Sequence, residues 1–250
     1  MVMFRSGYVL GISELAALLD DNPAELAARL AKPIQLRSGA EVILFDDFEA
    51  PIGGRWFNST LGAGTLNTSV ATSYSGAASM AIYTPGGAGN AAGAVRGIGL
   101  LPDLSKIGMQ FVMTYDGFPS EFDFGMSVNT PSLNSQFDIF CALTPGSPTG
   151  TVNLRVAAGA MQAIGEMNLF WVGTNIHIWL PFKLVVDPRT GQYSSLTIGD
   201  TEYEVANFVG TTGAAVVLPH TATFSFRLNR ITGMAGWAYV DDLIVTQNES

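Results

Sequence analysis

From residue 41 to its end the chain is a succession of short β-branched and aromatic runs, each closed by Gly, Pro, Asn or Ser. The runs cover 41–48, 79–84, 109–115, 122–128, 137–143 and 151–157, then 176–186, 193–198, 201–205, 223–229 and 237–246. Roughly ten to fourteen runs at this spacing, with no helical period between them, predict an all-β sandwich or barrel. Alternation supports it. In 223–229, Phe224, Phe226 and Leu228 share one face, and Ser225, Arg227 and Asn229 share the other. Two hairpins follow one another in 185–205. Asp187 to Gly191 makes the first turn and Gly199-Asp200 the second. The 28 glycines fit turns, bulges and close sheet packing.

Residues 1–40 differ in kind. Ser13 caps a helix over ELAALLDD, and Asn22 caps a second one with Pro23 at its first position and Glu25 at its third. Leu15, Leu18 and Leu19 form one apolar stripe, and Leu26, Ala27 and Leu30 another. Pro33 ends the pattern. Helices of two or three turns are marginal alone, so these stripes must pack on something. The partner is either the chain's own β domain or a neighbouring subunit. The leucines 15, 18, 19, 26 and 30 are therefore candidate assembly contacts. The expected organisation is a helical docking arm over 1–40 and a β domain over 41–250.

Composition excludes several classes. The chain is 48% hydrophobic and 13% charged, which argues against disorder. Its single Cys141 rules out a disulfide scaffold. A net charge of -9 disfavours nucleic acid. The acidic excess lies wholly in 41–250, because the charges of 1–40 cancel. No uninterrupted apolar run reaches the length of a spanning helix. Glu14, Asp20 and Asp21 follow the first apolar residues too closely for a secretory signal. The expectation is a chain made in the cytoplasm.

Catalytic motifs lack parts. The two histidines, His177 and His220, stand outside any metal-spacing cluster, and no Gly-x-Ser-x-Gly elbow occurs. Cys141 lies in the apolar run FDIFCALT and reads as a buried small hydrophobe. Gly87 to Ala92 matches a loose dinucleotide fingerprint, but the Gly-rich GAVRGIGLLPD that follows is no phosphate-binding helix. The segment reads as a loop. Aromatic residues offer a different chemistry. Trp56, Tyr74 and Trp171 are candidate stacking faces for a sugar ring, Trp56 and Trp171 because they lie near turns. In a sandwich such rings also serve as core. Trp237 alternates with Tyr239 and reads as core.

The opening LFDDFEAPIGGRWF and the closing WAYVDDLIVTQ resemble the bracketing strands of concanavalin A-like jelly rolls. The central WLPFKLVVDPRTGQYSSLTIGDTEYEV is similar to the laminin-G and lectin pattern. The resemblance spans about 200 residues. It implies an antiparallel jelly-roll β-sandwich preceded by the short N-terminal helical hairpin. The group includes carbohydrate-binding modules, glycoside hydrolases, lectins and virus or phage structural proteins. Carbohydrate modules of this architecture hold a structural Ca²⁺, and here Asp47, Glu49 and Asp241 are its candidate ligands. Solvated edge carboxylates are the alternative. Jelly-roll hydrolases place Glu, Asp and a second Glu on alternating positions of one strand. Glu121 and Asp123 fit that pattern, but Gly125 and Met126 stand where the second Glu belongs.

Together these features lead to two expectations. One is a non-enzymatic virion structural protein, a capsid-decoration or tail component that docks to other subunits as a homo-oligomer. The scarcity of lysine (Lys32, Lys106 and Lys183) and the low charge support it, since a surface poor in charge suits burial against partners. The other is a carbohydrate-binding, lectin-like module, on a virion or extracellular. A jelly-roll glycoside hydrolase comes third.

Overall fold

The computed structural model describes residues 40–85, 90–100, 105–117, 121–143, 149–168, 178–214, 220–229 and 235–249. The expected helical arm, with Leu15, Leu18, Leu19, Leu26 and Leu30, lies outside the described residues, as do Trp171 and His177.

The described chain forms β1 (Glu41–Asp46), β2 (Phe57–Asn58), β3 (Thr65–Ser69), β4 (Ser79–Thr84), β5 (Ala91–Gly99) and β6 (Lys106–Gly117). It continues through β7 (Glu121–Asn129), β8 (Asn134–Leu143), β9 (Thr149–Arg155), β10 (Met161–Asn168) and β11 (Leu180–Asp187). The last strands are β12 (Gln192–Ile198), β13 (Thr201–Tyr203), β14 (Thr211–Gly213), β15 (Thr221–Asn229) and β16 (Gly236–Glu249). They build two antiparallel sheets. The first runs β13-β12-β11-β6-β16-β4-β3, with β1 also paired to β16. The second runs β10-β9-β8-β7-β15-β5-β2, with β14 paired to β8.

The two bracketing motifs meet as expected. β1 pairs antiparallel with β16, Glu41 opposite Gln247 and Asp46 opposite Leu243. The hairpin turns also form as expected. Gly191 and Gly199 adopt left-handed backbone that glycine takes without steric cost. The Gly191 N–H donates to the Asp187 carbonyl at 2.9 Å.

The core lies between the sheets and is largely aromatic. Phe111 and Phe182 from the first sheet stack at 5.0 Å. Phe124 and Phe226 from the second meet Phe111 edge-on at 5.0 and 4.8 Å. Cys141 is buried in this core, and burial pushes its thiol well above the usual range.

β5 corrects the sequence reading, which makes a loop of its region. Its sequence, AAGAVRGIG, is poor in β-branched residues, yet it pairs along its whole length with β15. Small residues are needed there. A Cβ on Gly93 would lie 2.9 Å from the Phe226 carbonyl and 3.2 Å from that of Ser59. Among the described residues no helix is long and apolar enough to cross a membrane.

Candidate functional site

The outer face of the second sheet concentrates polar chemistry at its centre. Phe122, Phe124 and Phe226 point into the core, so their alternating neighbours Glu121, Asp123, Arg227 and Asn229 point outward. Register sets Asp123 opposite Arg227 and Glu121 opposite Asn229. On the other side, Asp123 stands opposite Phe140 and Gly125 opposite Asp138.

The Asn229 amide donates to Glu121 Oε1 at 2.9 Å and also to Asp123 Oδ2. Asp123 is only 8% exposed, although the alternation gives it the outward face. Among the described residues no donor reaches its Oδ1. Burial, then the neighbouring Glu121 carboxylate, by its charge and by a hydrogen bond to the protonated form, pushes Asp123 up to about 8, against the pull of Arg227 and the Asn229 hydrogen bond. The site thus holds a carboxyl that stays largely protonated near neutral pH and can both donate and accept a hydrogen bond.

Beside it, Asp138 pairs with the Arg155 guanidinium at 2.9 Å, and Gln136 donates to Asp138 Oδ2 at 2.8 Å. The same guanidinium lies 5.2 Å from the Phe140 ring centroid. Burial raises the Asp138 carboxyl, with Arg155 and Gln136 pulling it back. The Tyr193 hydroxyl anchors this pair from beneath. It accepts from the Asp138 N–H at 3.1 Å and donates to the Arg155 carbonyl at 2.7 Å. Gly125 leaves no room for the second Glu of the hydrolase pattern on β7. A Cβ there would lie 2.3 Å from the Phe137 carbonyl and 2.6 Å from Asp138 Oδ1.

The aromatic candidates fall elsewhere. Trp56 is a correction. It is 4% exposed, between Phe48 and Phe226 at 5.8 and 5.7 Å, so it offers no stacking face. Its indole N–H donates to Asp46 Oδ2 at 2.9 Å, which satisfies the polar end of a buried ring. Tyr74 is half-buried against Trp179 at 5.8 Å, and its backbone N–H donates to Asp241. Trp237 is only partly buried. It lies on the outer side of the first sheet, because its neighbours Ala238 and Val240 fill the core.

Of the expected calcium ligands, Glu49 and Asp241 engage the amides of one loop and Asp47 an amide of its own turn. Glu49 Oε1 accepts from the N–H groups of Ala77 and Ala78. Asp241 accepts from those of Tyr74, Ser75 and Asp242. Asp47 accepts from the Glu49 N–H. Among the described residues no three of His, Cys, Asp and Glu form a group able to hold a metal ion. Glu49 and Asp241 stitch the loop to the strand ends, with their oxygens turned to backbone amides.

The sequence pointed to Glu121 and Asp123 but missed Asn229, Arg227, Asp138, Arg155 and Tyr193 as parts of one face. The alternation of Gln136, Asp138 and Phe140 with the buried Phe137, Ile139 and Cys141 was the available signal.

No protein-family model matches the chain, and no curated protein matches it by sequence. Solved structures do match it. A carbohydrate esterase from the Shiga toxin-encoding bacteriophage phi24B superposes with a TM-score of 0.55 at 13% identity, covering 84% of this chain and 100% of that one. An endo-beta-1,4-glucuronan lyase from Trichoderma reesei gives 0.50 at 12% identity, covering 83% and 96%. The catalytic domain of an endo-1,3-beta-glucanase (laminarinase) from Thermotoga petrophila gives 0.50 at 9% identity, covering 84% and 99%. At these identities the likeness is one of fold.

Proposed function

On a concanavalin A-like jelly roll, we propose that the outer face of the second sheet binds carbohydrate, with Glu121, Asp123, Arg227 and Asn229 at its centre. One observation carries this reading. Asp123 is buried on the solvent side of a sheet, with an oxygen that no described donor satisfies. A buried carboxyl oxygen without a hydrogen-bond partner is costly, and a ligand hydroxyl, which both donates and accepts, supplies one. The flanking amide, guanidinium and carboxylate give the mixed donors and acceptors that sugar hydroxyls need. The similar structures are carbohydrate-directed enzymes, which agrees with the reading.

The module is read as binding rather than cleaving, since β7 has no space for a second acid at Gly125. A glycan array tests the proposal. The wild type is expected to bind at least one glycan, and Asn229→Ala to lose most of that signal while keeping its circular dichroism spectrum. No signal at high protein concentration removes the reading, and release of new reducing ends from a bound glycan turns it into a hydrolase.

A second reading places this module on a virion, docked to like subunits. It rests on the 13% charged content and the three lysines, a surface suited to burial against partners. Light scattering on the full chain addresses it, and a monomer at high concentration counts against it.

A further inference from the structure

We infer that the N-terminal arm, residues 1–39, docks across the outer face of the first sheet of its own chain, over Phe45, Ile244, Gln110 and Val185. Nothing in this inference depends on what the second sheet binds.

The face is apolar and excluded from water. Residues that alternate with the core of a sandwich point to the outside. On β1 and β16 the core residues are Leu44, Leu243 and Val245, so Phe45 and Ile244 point out, opposite each other. On β6 and β11 the core residues are Met109, Phe111, Leu184 and Val186, so Gln110 and Val185 also point out. Register continues from Ile244 to Gln110, and from Gln110 to Lys183. An outward side chain on an open sheet face stays partly wet. Yet Phe45, Ile244, Gln110 and Val185 are only 8%, 2%, 0% and 1% exposed. Phe45, Ile244 and Val185 stand outside the core between the sheets, so the second sheet is not what buries them.

Described residues cover one end of this face. There the loop between β3 and β4 crosses it. The Tyr74 N–H donates to Asp241 at 2.9 Å, and the Tyr74 ring meets Trp179 at 5.8 Å. Val112 stands between Asp241 and Pro181 in register, under that crossing. Over Phe45, Ile244, Gln110 and Val185 no described strand or helix packs. Gln110 marks the cover. It is wholly buried, and neither its Oε1 nor its Nε2 finds a partner among the described residues. A buried amide left unpaired is costly, so the cover must bring polar groups as well as apolar ones.

Burial, length and tether identify the occupant. The exclusion from water holds within a single chain, so the cover is part of that chain. Every internal segment outside the described residues has nine residues or fewer, whereas 1–39 is long enough to lie across the face. From Phe45 to Lys183 the row runs over β1, β16, β6 and β11, about 14 Å at the usual spacing. A helix over 23–31 has the same length, about 14 Å. The arm ends where β1 begins, at Glu41 opposite Gln247, in the strand that carries Phe45. Its stripe of Leu26, Ala27 and Leu30 suits the apolar side chains of the face. Its turn at Asp20, Asp21 and Asn22 offers Gln110 the missing partners.

Photocrosslinking in the full chain tests the docking. Ala31→Cys takes a benzophenone maleimide, because the native Cys141 is fully buried and does not react. After irradiation and digestion, mass spectrometry is expected to find position 31 joined to 42–46, 108–112, 183–185 or 243–246 of the same chain. Joining to any other part of 41–250, or to none of it, overturns the inference. A band of twice the chain mass also overturns it and assigns the arm to a second copy. Leu26→Ser combined with Leu30→Ser is expected to raise the fluorescence of a hydrophobic dye about threefold or more, with the circular dichroism of the sheets kept. An unchanged dye signal counts against an apolar face beneath the arm.

Discussion

Asp123 shows how one residue changes character between chain and fold. In the sequence it is one of two acids on the polar side of an amphipathic strand. In the fold it is buried beside Glu121 and raised to about 8. The folded protein therefore binds its proton more tightly than the unfolded chain does. The stability from this group is fully present below about pH 4, its unfolded range, and is lost as pH rises through about 8. Asp123→Asn removes that dependence. Urea titrations are expected to show the wild type losing stability relative to the variant between pH 4 and pH 8. A constant difference across that range would count against a raised carboxyl. Trp56 makes the converse point. Its position near a turn is legible in the sequence, but the buried Asp46 that accepts its N–H is set by the pairing of β1 with β16.

At the scale of elements, periodicity reveals most of the strands and composition hides the rest. The run 79–84 matches β4, and 122–128 lies within β7. β5 is hidden because its glycines and alanines answer a tertiary demand, the close approach of Phe226 and Ser59 backbone to Gly93. Gly125 answers a similar demand. Gly125→Ala is expected to destabilise the protein by about 1–3 kcal/mol, since β7 and β8 must part to admit the methyl group. The check is the urea midpoint at constant slope. No change would mean that β8 yields without cost.

Across the whole molecule, a few polar side chains tie the two sheets together. Tyr193 belongs to the first sheet, yet its hydroxyl holds the backbone of β8 and β9 in the second. Asp46 of β1 pairs with Arg55 at 3.1 Å and with Arg96 of β5, so a buried carboxylate also crosses the sandwich. Tyr193→Phe leaves the Asp138 N–H and the Arg155 carbonyl without this partner. The expected cost is about 1–3 kcal/mol, measured by chemical denaturation. The same variant is expected to loosen the Asp138–Arg155 pair and weaken glycan binding. Unchanged stability would show that other groups or water replace the hydroxyl.

Sequence alone determined the class of the fold, most strand positions and the two hairpin turns. These are local properties, because alternation and turn chemistry act over a few residues. It also placed Glu121 and Asp123 on one face, since two residues apart on a strand is the same face. Tertiary structure alone decided what that face became. Arg227 and Asn229 reach Asp123 across more than a hundred positions of chain, and Arg155 reaches Asp138 only because β9 folds back on β8. Strand order and register set those neighbours, and no short stretch of sequence encodes either. The same order leaves Phe57 and Met161 in water at opposite edges of one sheet, where each is an unremarkable apolar residue in the chain.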